Sequence, residues 1–127
     1  MKKILITGAS GFIGQSLCKI LSKTNRSIIG VVRDINSSLK VNNVDYRSIR
    51  DINLETNWQD ILVDVDCILH CAGVAHKIGN NKNPSFYHLI NVEGTRRLAE
   101  QAAKVGIKRF IFLSSIKVNG ENTDTIN

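Results

Sequence analysis

Three observations predict a doubly wound α/β fold, a parallel sheet with helices on both faces. A glycine-rich turn, Gly8-Ala9-Ser10-Gly11-Phe12-Ile13-Gly14, follows directly on the apolar run Ile4-Leu5-Ile6-Thr7. Strand-like apolar runs at 3–7, 27–33, 65–71 and 108–114, with a weaker one near 43–47, alternate with stretches of helical spacing; that alternation is the mark of parallel strands joined by crossover helices. Two runs, Val65-Asp66-Cys67-Ile68-Leu69-His70-Cys71 and Phe110-Ile111-Phe112-Leu113, are almost continuously apolar, as expected of central strands covered from both sides.

The elements follow in order. After the glycine turn, Phe12, Ile13, Leu17, Ile20 and Leu21 recur at helical spacing and predict a helix over roughly 12–24. A shorter helix is expected near 54–62. A long one, about 84–105, carries Leu89, Val92, Leu98, Ala99 and Ala102 on one side. Pro84 suits its first turn, where the missing N–H costs nothing, and Gly106 suits its stop. The stretch 121–127 is polar and expected to fray. With 127 residues, 43% of them hydrophobic, no internal repeat and no low-complexity stretch, residues 1–127 read as one domain with a single core.

Composition narrows the function classes. The longest apolar stretches are strand-sized, and Lys2-Lys3 runs straight into the first strand, so neither a membrane span nor a signal peptide is expected, and the protein reads as cytoplasmic. Cys18, Cys67 and Cys71 lack metal-ligand spacing and read as reduced thiols. His76 and His88 stand apart from each other and from carboxylates, so no metal site is expected. The net charge of +6 comes from seventeen Lys and Arg residues scattered along the chain without interleaved aromatics. No nucleic acid and no membrane partner is therefore expected.

The glycine turn carries the chemistry. Gly8 permits a tight turn off the strand, Gly11 lets backbone N–H groups approach an anion, and Gly14 lets the helix lie close on the sheet. The helix then offers its unpaired N–H groups and positive dipole end to a pyrophosphate. An ordinary strand-to-helix turn would need none of this, and the strand before and helix after favour dinucleotide binding. At the end of the second strand, an acid facing the adenosine ribose selects NAD and a nearby Arg accommodates a 2′-phosphate. Val31-Val32-Arg33-Asp34 stands there, with Val32 at the acid's position. Arg33 favours NADP; an Arg33–Asp34 surface pair, or an inward Asp34, would leave NAD.

The spacing G-x-x-G-x-x-G resembles the extended short-chain dehydrogenase/reductase family, which includes nucleotide-sugar epimerases, dehydratases and reductases. The resemblance spans essentially the whole chain but only the family's N-terminal portion. It implies a three-layer Rossmann fold truncated before the substrate lobe, with cofactor contacts from Gly8, Ser10, Gly11, Phe12, Ile13, Gly14 and Arg33. It further implies that Asp51-Ile52 meets the adenine, although an Asp capping a turn reads almost as well. In His70-Cys71-Ala72-Gly73 it implies that Cys71, Ala72 and Gly73 run beside the nicotinamide half, while His70 reads as a core histidine. Asn91, in Asn91-Val92-Glu93-Gly94-Thr95, matches a residue that supports the active site, and equally a plain polar helix position. Ser115 matches the family's catalytic Ser/Thr, and Ser114 a neighbouring cofactor contact; simple loop serines are the alternative.

One family feature is missing. The acid/base pair Tyr-x-x-x-Lys does not occur, since Tyr46 and Tyr87 are followed four residues on by Arg50 and Asn91, and the 127 residues are expected to be inactive alone. Thr56-Asn57-Trp58, Val74-Ala75-His76-Lys77 and Ser114-Ser115-Ile116-Lys117-Val118-Asn119-Gly120-Glu121 resemble bacterial enzymes of surface-polysaccharide synthesis. Those enzymes are 4-epimerases and 4-keto-sugar reductases acting on UDP-N-acetyl-hexosamines. The implied partners are a nucleotide-sugar substrate and a second copy in a homodimer. The rival reading is a dinucleotide sensor without catalysis.

Overall fold

The computed structural model describes residues 2–36, 40–50, 52, 55–71 and 84–113, with 84–90 described as helix backbone. Its elements are β1 (Lys3–Thr7), α1 (Phe12–Leu21), β2 (Ser27–Val32), β3 (Val44–Ser48), β4 (Cys67–His70), α2 (Pro84–Lys104) and β5 (Arg109–Phe112). The strands pair in parallel in the order β3-β2-β1-β4-β5. The doubly wound α/β prediction holds, and the order of strands reverses between β1 and β4.

Period-two alternation along the strands builds a core on each face. Leu5, Ile29, Val31 and Ile68 pack with Trp58, Leu62, Val65 and with Leu98 and Ala102 of α2. Ile4, Ile6, Ile28 and Val32 pack on the other side with Ala9, Cys18 and, half-buried, Leu17 and Leu21 of α1. Each such side chain contributes about 1.5–3 kcal/mol on burial. α2 ends as expected: Gly106 takes φ 83°, and Gly106 N and Ile107 N donate to Ala103 O and Ala102 O, the paired bonds of a glycine helix stop.

Four expectations need correction. Residues 55–64 do not form the predicted helix. Trp58 is driven wholly into the core with its backbone N–H donating to Gln101 Oε1 at 2.8 Å, and Asp64 takes φ 62°, so the segment turns around the indole. Phe12, Ile13 and Ile20 of α1 face outwards, and Gly14 and Cys18 form the buried line. A backbone contact at Gly14 sets the roll of this helix, overriding its larger residues. On α2, Val92 is exposed while Gly94, Leu98 and Ala102 are buried. Among the described residues β5 is an edge strand with Ile111 and Phe112 exposed; an apolar run alone does not distinguish edge from centre.

Candidate functional site

In an open parallel sheet, ligands bind at the carboxyl ends of the strands where the order reverses. Here that point lies between β1 and β4, where Thr7 and His70 stand opposite each other. Gly8 turns the chain with φ 63°, and Ala9 N donates to Val31 O at 3.0 Å, tying the turn to β2. Gly11 N closes the turn on Gly8 O at 3.0 Å, and Gly11 then stands extended as the N-cap of α1. No side chain caps this helix and no acid occupies its first turn. Because the first intrahelical bond into Gly11 comes from Gln15 N at 2.8 Å, the N–H groups of Phe12, Ile13 and Gly14 precede the helical ladder.

The glycines divide the work. A Cβ on Gly14 would run into Gly8 O and lie 2.7 Å from Gly8 C and 2.9 Å from Ala9 Cα, so the start of α1 approaches the turn after β1 backbone to backbone. A Cβ on Gly11 would meet only Gly8 O, at an ordinary 3.4 Å. The fold itself does not require glycine there, whereas a ligand approaching the N–H row would. A pyrophosphate fits this cradle in charge and in donors.

Around the cradle, Ser10 is exposed, and Phe12 and Ile13 turn their side chains outwards. Arg33 follows β2 and is exposed, its carbonyl accepting from Ser48 Oγ at 3.0 Å. Asp34 Oδ1 accepts from Asn36 N at 2.9 Å in a local turn. Cys71, half-buried, follows β4, and Asn91 is half-buried on α2. Ile52 is half-buried against Gly94, where a Cβ would stand 2.7 Å from Ile52 O. Asp51, Ala72, Gly73, Ser114 and Ser115 lie outside the described residues.

Thr7 and Thr95 escape a motif reading, and His70 gains partners that the sequence does not reveal. Thr7 Oγ1 accepts from Cys71 N at 2.9 Å and lies 2.7 Å from His70 Nδ1. The other ring nitrogen, Nε2, lies 3.0 Å from Thr95 Oγ1, and Phe110 and Phe112 flank the ring with centroids 6.0 and 5.6 Å away. Burial lowers the His70 pKa to about 4, so the imidazole is neutral at neutral pH. Burial also raises Cys18 to about 11 and pushes Cys71 and Cys67 up, keeping all three as thiols. A glycine inside a long helix, Gly94, was the one available signal of a close contact. Among the described residues no group of three or more His, Cys, Asp or Glu side chains gathers to hold a metal, and no helix is long and apolar enough to cross a membrane.

Residues 4–127 match the sequence profile of the NAD dependent epimerase/dehydratase family. The chain belongs to that family. Within the family it is 39% identical to a UDP-glucose 4-epimerase of Vibrio cholerae over 96% of its own length and 37% of that protein's. Among solved structures it is similar to the UDP-N-acetylglucosamine 4-epimerase of Bacillus cereus (27% identity, TM-score 0.72), covering 91% of this chain and 39% of that one. It is also similar to the UDP-glucuronic acid 4-epimerase of Bacillus cereus in complex with NAD (27% identity, TM-score 0.69), covering 93% and 41%. The chain thus spans well under half the length of these epimerase/dehydratase relatives. The extended short-chain dehydrogenase/reductase resemblance and the Rossmann fold it implies stand.

Proposed function

We propose that residues 1–127 form the N-terminal dinucleotide-binding domain of a nucleotide-sugar 4-epimerase or 4-ketoreductase of surface-polysaccharide synthesis. The observation that carries this reading is the uncapped start of α1 above the Gly8–Gly14 turn, at the point where the strand order reverses. The names of the three relatives described above, each a UDP-sugar 4-epimerase, support the substrate class.

The backbone N–H groups of Phe12, Ile13 and Gly14 would hold the pyrophosphate, Arg33 would meet an adenosine 2′-phosphate, and Ile52 and Asp51 would border the adenine. The exposure of Arg33 and the engagement of Asp34 with Asn36 N support NADP over NAD and lean towards the ketoreductase. Cys71, Ala72 and Gly73 would lie beside the nicotinamide half. When bound, the nicotinamide supplies or receives hydride at C4 of the sugar. Ser115 would hydrogen-bond the C4 oxygen, Ser114 would touch cofactor, and Asn91 would support the site from α2. The proton at that oxygen needs a Tyr-x-x-x-Lys pair, which these residues lack.

Calorimetric titration of the chain with NADP and NAD tests the reading. We expect binding of both, tighter for NADP, with Arg33→Ala abolishing the preference, and no turnover of UDP-N-acetylglucosamine. A chain that binds neither dinucleotide would sink the reading; equal affinities unchanged by Arg33→Ala would sink its NADP part.

A further inference from the structure

His70 sits where three elements meet. It ends β4, faces Thr7 at the end of β1 across 63 residues of sequence, and faces Thr95 of α2 across 25. Only 2% of its surface is exposed. Thr7 Oγ1 also holds the Cys71 N–H, the first backbone donor after β4, so the hydroxyl that fixes the start of the β4 loop is itself fixed by the imidazole. Each ring nitrogen has one hydroxyl partner, and either neutral tautomer satisfies both, one nitrogen donating and the other accepting.

The other end of this bridge is a helix held at several successive points. Gly94 lies against Ile52 O, Arg97 Nε donates to Thr56 O at 3.0 Å, and Gln101 Oε1 receives Trp58 N. Thr95 is the tie to the sheet strand that borders the glycine turn. Asn91 lies one turn before it, about 6 Å nearer the start of the helix.

We infer that His70 is a positioning residue: by bridging the Thr7 and Thr95 hydroxyls it holds α2, and Asn91 with it, in register with the β1 and β4 ends that receive the dinucleotide. This inference rests on the dinucleotide reading. Apolar burial alone would keep a histidine in place but would not aim both ring nitrogens at hydroxyls on two different elements. Removing the Thr95 hydroxyl leaves a ring nitrogen buried without its partner; the ring shifts, Thr7 loosens, and the Cys71 N–H loses its fixed place beside the end of β1.

The test is Thr95→Val, which is close in shape, beside Thr95→Ser, which keeps the hydroxyl. Affinity for NADP and NAD is measured by calorimetry far below the unfolding temperature of each variant, and the Cys71 amide is followed by NMR. Thr95→Val should weaken dinucleotide binding by about three- to tenfold and shift the Cys71 amide resonance, although Thr95 and Cys71 lie on different elements. Thr95→Ser should restore both. A lowered unfolding temperature with unchanged affinity, or equal weakening in Thr95→Ser, overturns the positioning role and leaves the dinucleotide reading intact. A parent chain that binds neither dinucleotide overturns both.

Discussion

The start of α1 meets the turn after β1 through bare backbone, Gly14 lying against Gly8 and Ala9, whereas α2 is tied to the opposite face by side-chain hydrogen bonds at Thr95, Arg97 and Gln101. The first attachment is steric. It leaves the helix start uncapped, with its N–H groups directed at the strand ends. The second is directional and sets how far the helix is slid and rotated, which is what a residue such as Asn91 needs if it is to serve a site on a neighbouring strand. In the proposed reading, the helix that would receive an anion is placed by the absence of side chains, and the helix that would present a side chain is placed by their presence.

Breaking the steric attachment should have the largest effect. Gly14→Ala puts a methyl group into the Gly8 carbonyl, where only backbone can give way, and we expect a loss of roughly 4 kcal/mol or more in urea unfolding, together with loss of dinucleotide binding. On the α2 side the largest effect should come with pH. His70 is pushed from 6.5 to about 4, so below pH 6.5 the unfolded chain takes up a proton that the folded chain refuses. Stability present above pH 6.5 is therefore lost as the pH falls towards 4, by roughly 3 kcal/mol, and His70→Asn should flatten that slope.

Smaller effects sharpen the contrast. Gly94→Ala adds helix propensity but presses a methyl group on Ile52 O at 2.7 Å; a net loss of about 1–2 kcal/mol is expected. A gain instead would show that α2 slides without cost and that its polar ties are loose. Gln101→Ala, which strips Trp58 N of its acceptor, should cost about 1 kcal/mol. Thermal melts of both variants read these differences directly.

The steric half of this comparison was legible in the sequence, and the directional half was not. Gly8, Gly11 and Gly14 stand at a spacing that states the turn, and Pro84 and Gly106 bracket α2 because their backbone preferences act locally. Nothing local distinguishes Val92 from Leu98, yet one is exposed and the other wholly buried. Nor does a local pattern predict that Trp58 would pull residues 55–64 out of a helix: the gain comes from a core assembled by β1, β2, β4 and α2. Among the described residues the buried indole Nε1 has no hydrogen-bond partner.

The sequence by itself determined the fold class, the glycine turn and the ends of α2, since each is written in residues a few positions apart whose backbone conformations are fixed by short-range sterics. Only the tertiary structure decided which faces of α1 and α2 are buried and which hydroxyls hold His70. It also gathered basic residues that look scattered along the chain: Lys2, Lys23 and Arg26 line one open hollow at the amino edge of the sheet, and Arg109 with Lys2 bears electrostatically on Cys67 there. Such pairings join residues that the chain holds far apart, and strand order and register, set by the burial of two whole cores, are what bring them together.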